Sequence, residues 1–118
     1  MNIDILKSAG IDYDSGFERF SGLDAVYQKF LRMFPDDPNY NNAIEAINAG
    51  ELDKAFNYAH TLKGTSGNLS LSDLYRTTSL LVDDLRIKKT DNLPALLEKV
   101  TESYEKTIKA IKEASADE

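Results

Sequence analysis

Apolar residues recur at intervals of three and four along almost the whole chain, and strand-type alternation is sustained nowhere, so the pattern predicts helices in series. A short helix is expected over Asn2–Ala9, stopped by Gly10, and a second over Asp14–Phe20 with Phe17 and Phe20 facing inward. A third runs from about Leu23 to Phe34, carries Val26, Tyr27, Phe30, Leu31 and Phe34, and is ended by Pro35. Asp37-Pro38 restarts the helical pattern, since Asp caps free N–H groups and Pro suits the first helical position. The helix that follows buries Tyr40, Ala43, Ile44 and Ile47 and stops at Gly50. The central helix spans about Glu51–Asn68 on the stripe Leu52, Ala55, Ala59, Leu62, Ser66 and Leu69.

Ser70-Leu71-Ser72-Asp73 reads as a capping sequence, with Ser70 at the N-cap and Asp73 three residues on. It opens a helix carrying Leu71, Leu74, Thr78, Leu81 and Leu85. After the polar turn at Lys88–Asn92, a last helix begins near Leu93 and shows Leu93, Leu97, Val100, Tyr104, Ile108 and Ile111. Long helices starting near Tyr40, Glu51, Leu71 and Leu93 with short connections imply antiparallel neighbours around one core, the Leu23 helix packing alongside. The expected fold class is all-α, an antiparallel four-helix bundle with additional short N-terminal helices. Residues 1–118 form one domain: short helices in 1–22, bundle helices in 23–113, and a disordered acidic tail at 114–118.

Composition narrows the chemistry. A chain of 118 residues, 42% hydrophobic, suits one domain with a real core and leaves no room for an ATP-binding module. No GxxxxGK phosphate loop is present. The net charge of −6, from 20 acidic and 14 basic residues, argues against nucleic acid as a partner and favours a soluble monomer. Without cysteine there is no disulfide, thiol catalysis or Cys-ligated zinc, and a reduced cytoplasmic setting fits. Met1-Asn2-Ile3-Asp4 does not read as a signal peptide, and no apolar run approaches the roughly 20 residues that span a bilayer, so no membrane association is expected.

His60 is the only histidine. It lies about 100° around the helix from Ala59, at the rim of the apolar stripe, where it should be partly exposed. Lys63 follows at i+3, Gly64 at i+4 and Gly67 at i+7, and Phe56 precedes at i−4. A glycine inside a helix costs roughly 1 kcal/mol relative to alanine. Gly64 therefore calls for a compensating benefit: either clearance in front of the imidazole or close helix–helix packing. Lys63 places a compact positive charge near any phosphoryl group on His60. A neutral imidazole is a competent nucleophile near pH 7, its unperturbed pKa being about 6.5. Gly67-Asn68 serves either access or the end of the helix. One histidine without cysteine, and carboxylates without EF-hand spacing, give no metal site. A Ser-His-Asp hydrolase lacks its Gly-x-Ser-x-Gly elbow.

The run Ala59-His60-Thr61-Leu62-Lys63-Gly64-Thr65-Ser66-Gly67-Asn68-Leu69 closely resembles the signature of histidine phosphotransfer (HPt) domains, A-H-x-[LI]-K-G-[ST]-[AS]-x-[NS]-[LIF]. The resemblance extends to Gly10-Ile11-Asp12, to Phe17-Glu18-Arg19-Phe20 and to the helices flanking the motif. It implies a four-helix bundle with accessory helices, phosphorylation at Nε2 of the histidine, and exchange with the aspartate of a response-regulator receiver domain. On this resemblance His60 is the phosphoacceptor, Lys63 stabilises the phosphoryl charge and Gly64 gives steric access. Phe56, Asn57 and Gly67 are assigned to partner docking, Phe56 serving the core as its alternative. The chain would be a carrier rather than an autonomous enzyme, without cofactor, any Mg²⁺ belonging to the partner. Its partners would be a receiver domain, a sensor histidine kinase, or both. The chain departs from many relatives at Ser70, where they have Gly. It also has Val82 where several place a polar group that holds the imidazole. The alternatives are a non-catalytic helical docking module and the phosphoacceptor domain of a chemotaxis-type kinase. A sensor-kinase dimerisation segment fits less well, because Thr61 follows the histidine and no proline falls between Pro38 and Pro94.

Overall fold

The computed structural model describes residues 1–116. Seven helices and one 3₁₀ turn follow one another: α1 (Ile3–Ser8), α2 (Tyr13–Arg19), α3 (Asp24–Met33), the turn Phe34–Asp36, α4 (Asn39–Asn48), α5 (Leu52–Asn68), α6 (Ser72–Arg86) and α7 (Leu93–Ser115). Among the described residues there is no strand, and the fold is all-helical as the spacing predicts. Pro35 sits in the 3₁₀ turn that separates α3 from α4. Asp37 then accepts from the Asn39 backbone N–H at 2.9 Å, so its carboxylate satisfies a donor at the start of α4. Gly50, at φ 71°, takes the left-handed conformation that turns α4 into α5.

In the bundle α5 lies between α4 and α6, and α7 packs on α6. Ala55, Ala59, Leu62 and Ser66 of α5 are buried together with Leu74, Thr78, Leu81, Val82 and Leu85 of α6. Each fully buried leucine is worth about 2 kcal/mol over an exposed one, so this face holds α5 as a rigid rod. The α4 and α7 sides meet where Tyr40 stacks on Tyr104, centroids 3.8 Å apart and planes 7° from parallel. The Tyr40 hydroxyl also hydrogen-bonds Thr101 Oγ1 at 2.8 Å.

The N-terminal helices clasp the α5–α6 turn. The Asp12 N–H donates to the Ser70 carbonyl at 2.9 Å, and Asp73 N–H donates to the Gly10 carbonyl at 3.2 Å. Tyr27, fully buried, donates its hydroxyl to the Leu69 carbonyl at 2.7 Å. Gly16 allows this approach: a β-carbon there would collide with the Tyr27 ring and hydroxyl. Burial pushes the Tyr27 phenol far above its usual ionisation range, because the charged form would be desolvated.

Four expectations need correction. Phe17, expected inward, is 39% exposed, while Phe20 is half-buried against Tyr27. Along α4, Ala43 and Ala46 are the buried residues, and Tyr40, Ile44 and Ile47 are half-buried. Ser70 is no N-cap: it adopts φ 55°, and α6 starts at Ser72 without a side-chain cap. Its backbone is committed to the N-terminal clasp, and its hydroxyl donates to Ser15 Oγ at 3.1 Å. Finally, the segment expected as a tail is helical up to Ser115, with Ala114 buried and its carbonyl accepting from the Asn2 N–H at 2.9 Å. Asp117 and Glu118 lie outside the described residues.

Candidate functional site

His60 stands on the exposed side of α5, while its predecessor Ala59 is sealed in the core. The apolar stripe thus fixes the backbone beneath the imidazole and leaves the ring in solvent. Its ring centroid is 5.6 Å from that of Phe56, one turn earlier, in a tilted pair. Phe56 is half-buried against the core, and the Arg86 guanidinium lies 5.1 Å from its ring centroid. Phe56 therefore both packs inward and supports the imidazole. Among the described residues no side chain hydrogen-bonds the His60 ring. Val82 is completely buried in α6 and offers it no polar atom.

A groove of about 450 Å³ opens beside the histidine, lined by His60, Lys63, Gly64 and Gly67 of α5 and by Tyr75 of α6. Gly64 is exposed, and a β-carbon built on it meets nothing within 4 Å. Helix–helix packing therefore does not require this glycine, and the space in front of it is open to solvent. Gly67 differs. A β-carbon there would lie 3.1 and 3.2 Å from two carbons of the Tyr75 ring, so the missing side chain lets Tyr75 lie against α5. The Lys63 ammonium sits 5.8 Å from the centroid of that same ring. The left-handed residue that turns the chain after α5 is Ser70, so Gly67 does not serve as the helix stop.

The predicted residues are thus brought together in part. His60, Lys63, Gly64 and Gly67 share one groove, and Phe56 adjoins it through the ring pair. Asn57 is exposed but lies outside the groove lining, its carbonyl accepting from Thr61 Oγ1 at 3.0 Å. Sequence reasoning missed Tyr75, Ser15 and Arg19, which also line the groove. Tyr75 lies eight residues beyond Gly67, across the α5–α6 turn. Ser15 and Arg19 come from α2, so no local spacing could have placed them there.

The chemistry open to this arrangement is nucleophilic: an accessible imidazole, a lysine ammonium in the same groove, and a vacant approach at Gly64. Among the described residues no helix is long and apolar enough to cross a membrane. No group of three or more histidine and carboxylate side chains that could hold a metal ion occurs among them either.

Comparison with curated proteins and with solved structures finds no match to the chain. The family model of the Hpt domain matches residues 25–114, which cover α4 to α6 and almost all of α3 and α7. With that match over most of its length and a helical bundle around it, the chain belongs to the Hpt domain family, the phosphotransfer modules of phosphorelays.

Proposed function

We propose that this protein accepts a phosphoryl group on Nε2 of His60 and passes it to or from the aspartate of a response-regulator receiver domain. The observation that carries this reading is the exposed imidazole beside an unobstructed glycine, Gly64, in a chain of the Hpt family. In the loading step the neutral imidazole, protonated at Nδ1, presents its Nε2 lone pair to the phosphorus of a phospho-aspartyl group. The Nε2–P bond forms, the P–O bond to the aspartyl carboxylate breaks, and the carboxylate leaves with the electron pair. Lys63 stands where it can offset negative charge gathering on the phosphoryl oxygens. Unloading reverses these steps on an acceptor aspartate.

With no described side chain holding Nδ1–H, the ring's orientation rests on the Phe56 contact and on whatever the docked partner supplies. The chain acts as a carrier, monomeric and cytoplasmic, and any Mg²⁺ belongs to the receiver. The test is labelling by a receiver domain charged with acetyl phosphate. The wild-type chain gains an acid-labile, base-stable phosphoryl group, and His60→Gln keeps its helical spectrum but gains none. Equal labelling of the variant would refute the assignment.

A further inference from the structure

The groove beside His60 is built from two parts of the chain. Lys63, Gly64 and Gly67 belong to the segment that matches the family, whereas Ser15 and Arg19 lie in α2, outside residues 25–114. Three contacts hold α2 there: the Asp12 N–H on the Ser70 carbonyl, the Ser70 hydroxyl on Ser15 Oγ, and Tyr27 seated against Gly16.

The charge in this groove runs against the rest of the molecule. The chain carries 20 acidic and 14 basic residues. Yet the groove is lined by two cations, Lys63 and Arg19, together with hydroxyl, amide and glycine positions, and by no carboxylate. Among the described residues neither cation forms an ion pair. Lys63 faces the Tyr75 ring, and Arg19 is exposed and forms no ion pair with a described residue. An unpaired guanidinium held on a fixed helix, in a groove free of acids, is suited to a carboxylate arriving from outside. Its planar fork can take both oxygens.

We infer that Arg19 is a partner-recognition residue: it receives a carboxylate on the surface of the phosphoryl-exchange partner, beside that partner's phospho-aspartyl site, while Lys63 attends the phosphoryl group at His60. This deepens the proposed carrier function and rests on it. Within the fold the N-terminal helices then supply one edge of the docking surface as well as the clasp. Because the pair forms at a wetted rim, it governs encounter and residence rather than the chemical step, and salt weakens it.

The test measures transfer from receiver domains charged with acetyl phosphate, carrying forward the member of a panel that labels wild type fastest. At about 50 mM salt, Arg19→Ala is expected to raise the half-saturating receiver concentration about fivefold, and Arg19→Glu about tenfold or more. Arg19→Lys should recover only part of the loss, since an ammonium keeps the charge but not the two-pronged fork, and the differences should shrink below about twofold near 0.5 M salt. Wild-type half-saturation in both Arg19→Ala and Arg19→Glu, with wild type labelled normally, overturns the inference and leaves the carrier reading standing. A fall in the saturating rate alone also overturns it, since Arg19 would then act on the chemistry. No labelling of wild type by any receiver overturns the carrier reading and this inference with it.

Discussion

Replacing Gly64 should make the protein more stable and less active, and the two effects can be sized separately. Beyond the backbone of its own helix and its chain neighbours, a β-carbon at this position meets no atom within 4 Å, so no steric penalty offsets the gain in helix propensity. Glycine in the interior of a helix is about 1 kcal/mol worse than alanine. Position 64 lies well inside α5, so Gly64→Ala should raise stability by about that amount. For a chain of this length the gain corresponds to about 4 °C in Tm and roughly a fivefold smaller unfolded fraction. Gly64→Leu should gain nearly as much, leucine being almost as good a helix former. Function should move the other way. Residues four apart on a helix have β-carbons about 5–6 Å apart on one face, so a new side chain rises beside the imidazole where a partner must approach. Displacing the donor by about 1 Å can cost about a hundredfold in rate, which sets the expectation for leucine; alanine should cost several-fold. Thermal melts by circular dichroism give the first number, and rapid-quench transfer from a phosphorylated receiver gives the second. A destabilised alanine variant would show that the space at Gly64 is not open. A stabilised leucine variant that transfers at the wild-type rate would refute the clearance argument.

Two further predictions concern the clasp. Gly16→Ala forces the Tyr27 ring to move and strains its hydrogen bond to the Leu69 carbonyl, so it should destabilise by about 3 kcal/mol. A urea midpoint within about 0.5 kcal/mol of wild type, outside which core clashes normally fall, would contradict this. Tyr27→Phe should cost about 1 kcal/mol at pH 7 but resist alkali better than wild type. The buried phenol keeps its proton above pH 10 while the unfolded chain releases it, so this residue's contribution is intact below about pH 10 and declines above it, by up to about 1.4 kcal/mol per pH unit. Urea melts between pH 7 and 11.5 that fall equally in wild type and variant would refute the linkage.

The bundle was legible because α5, α6 and α7 each carry a single apolar stripe that the three-four spacing identifies without ambiguity. The errors sit where tertiary contacts compete with local signals. Ser70 and Asp73 spell a capping sequence, yet Ser70 is needed by Asp12 and Ser15 across the chain, and the left-handed turn prevails. Phe17 lies three residues before Phe20, which would set both inward; in the fold the inner face of the short α2 is taken by Tyr13 and Gly16, leaving Phe17 outside. At the site, the motif located His60, Lys63 and Gly64, because one helix turn relates them. The two roles left open for Gly64 could be separated only by knowing what stands in front of it. Gly67 stands in the motif, but its neighbour Tyr75 belongs to the next helix. Arg19 belongs to the Phe17–Phe20 stretch, where local spacing carries no sign of a groove formed by α5 and α6.

One groove serving one imidazole also dictates the order of events in a relay. On the proposed function two visitors cannot occupy the same ridge of α5, so donor and acceptor alternate, and each cycle includes the departure of the first before the second arrives. A surplus of idle acceptor therefore acts as a competitor for loading, and throughput peaks at an intermediate acceptor level. The brake on such a circuit lies in how quickly each visitor lets go, a property that neighbouring proteins can tune without altering this one.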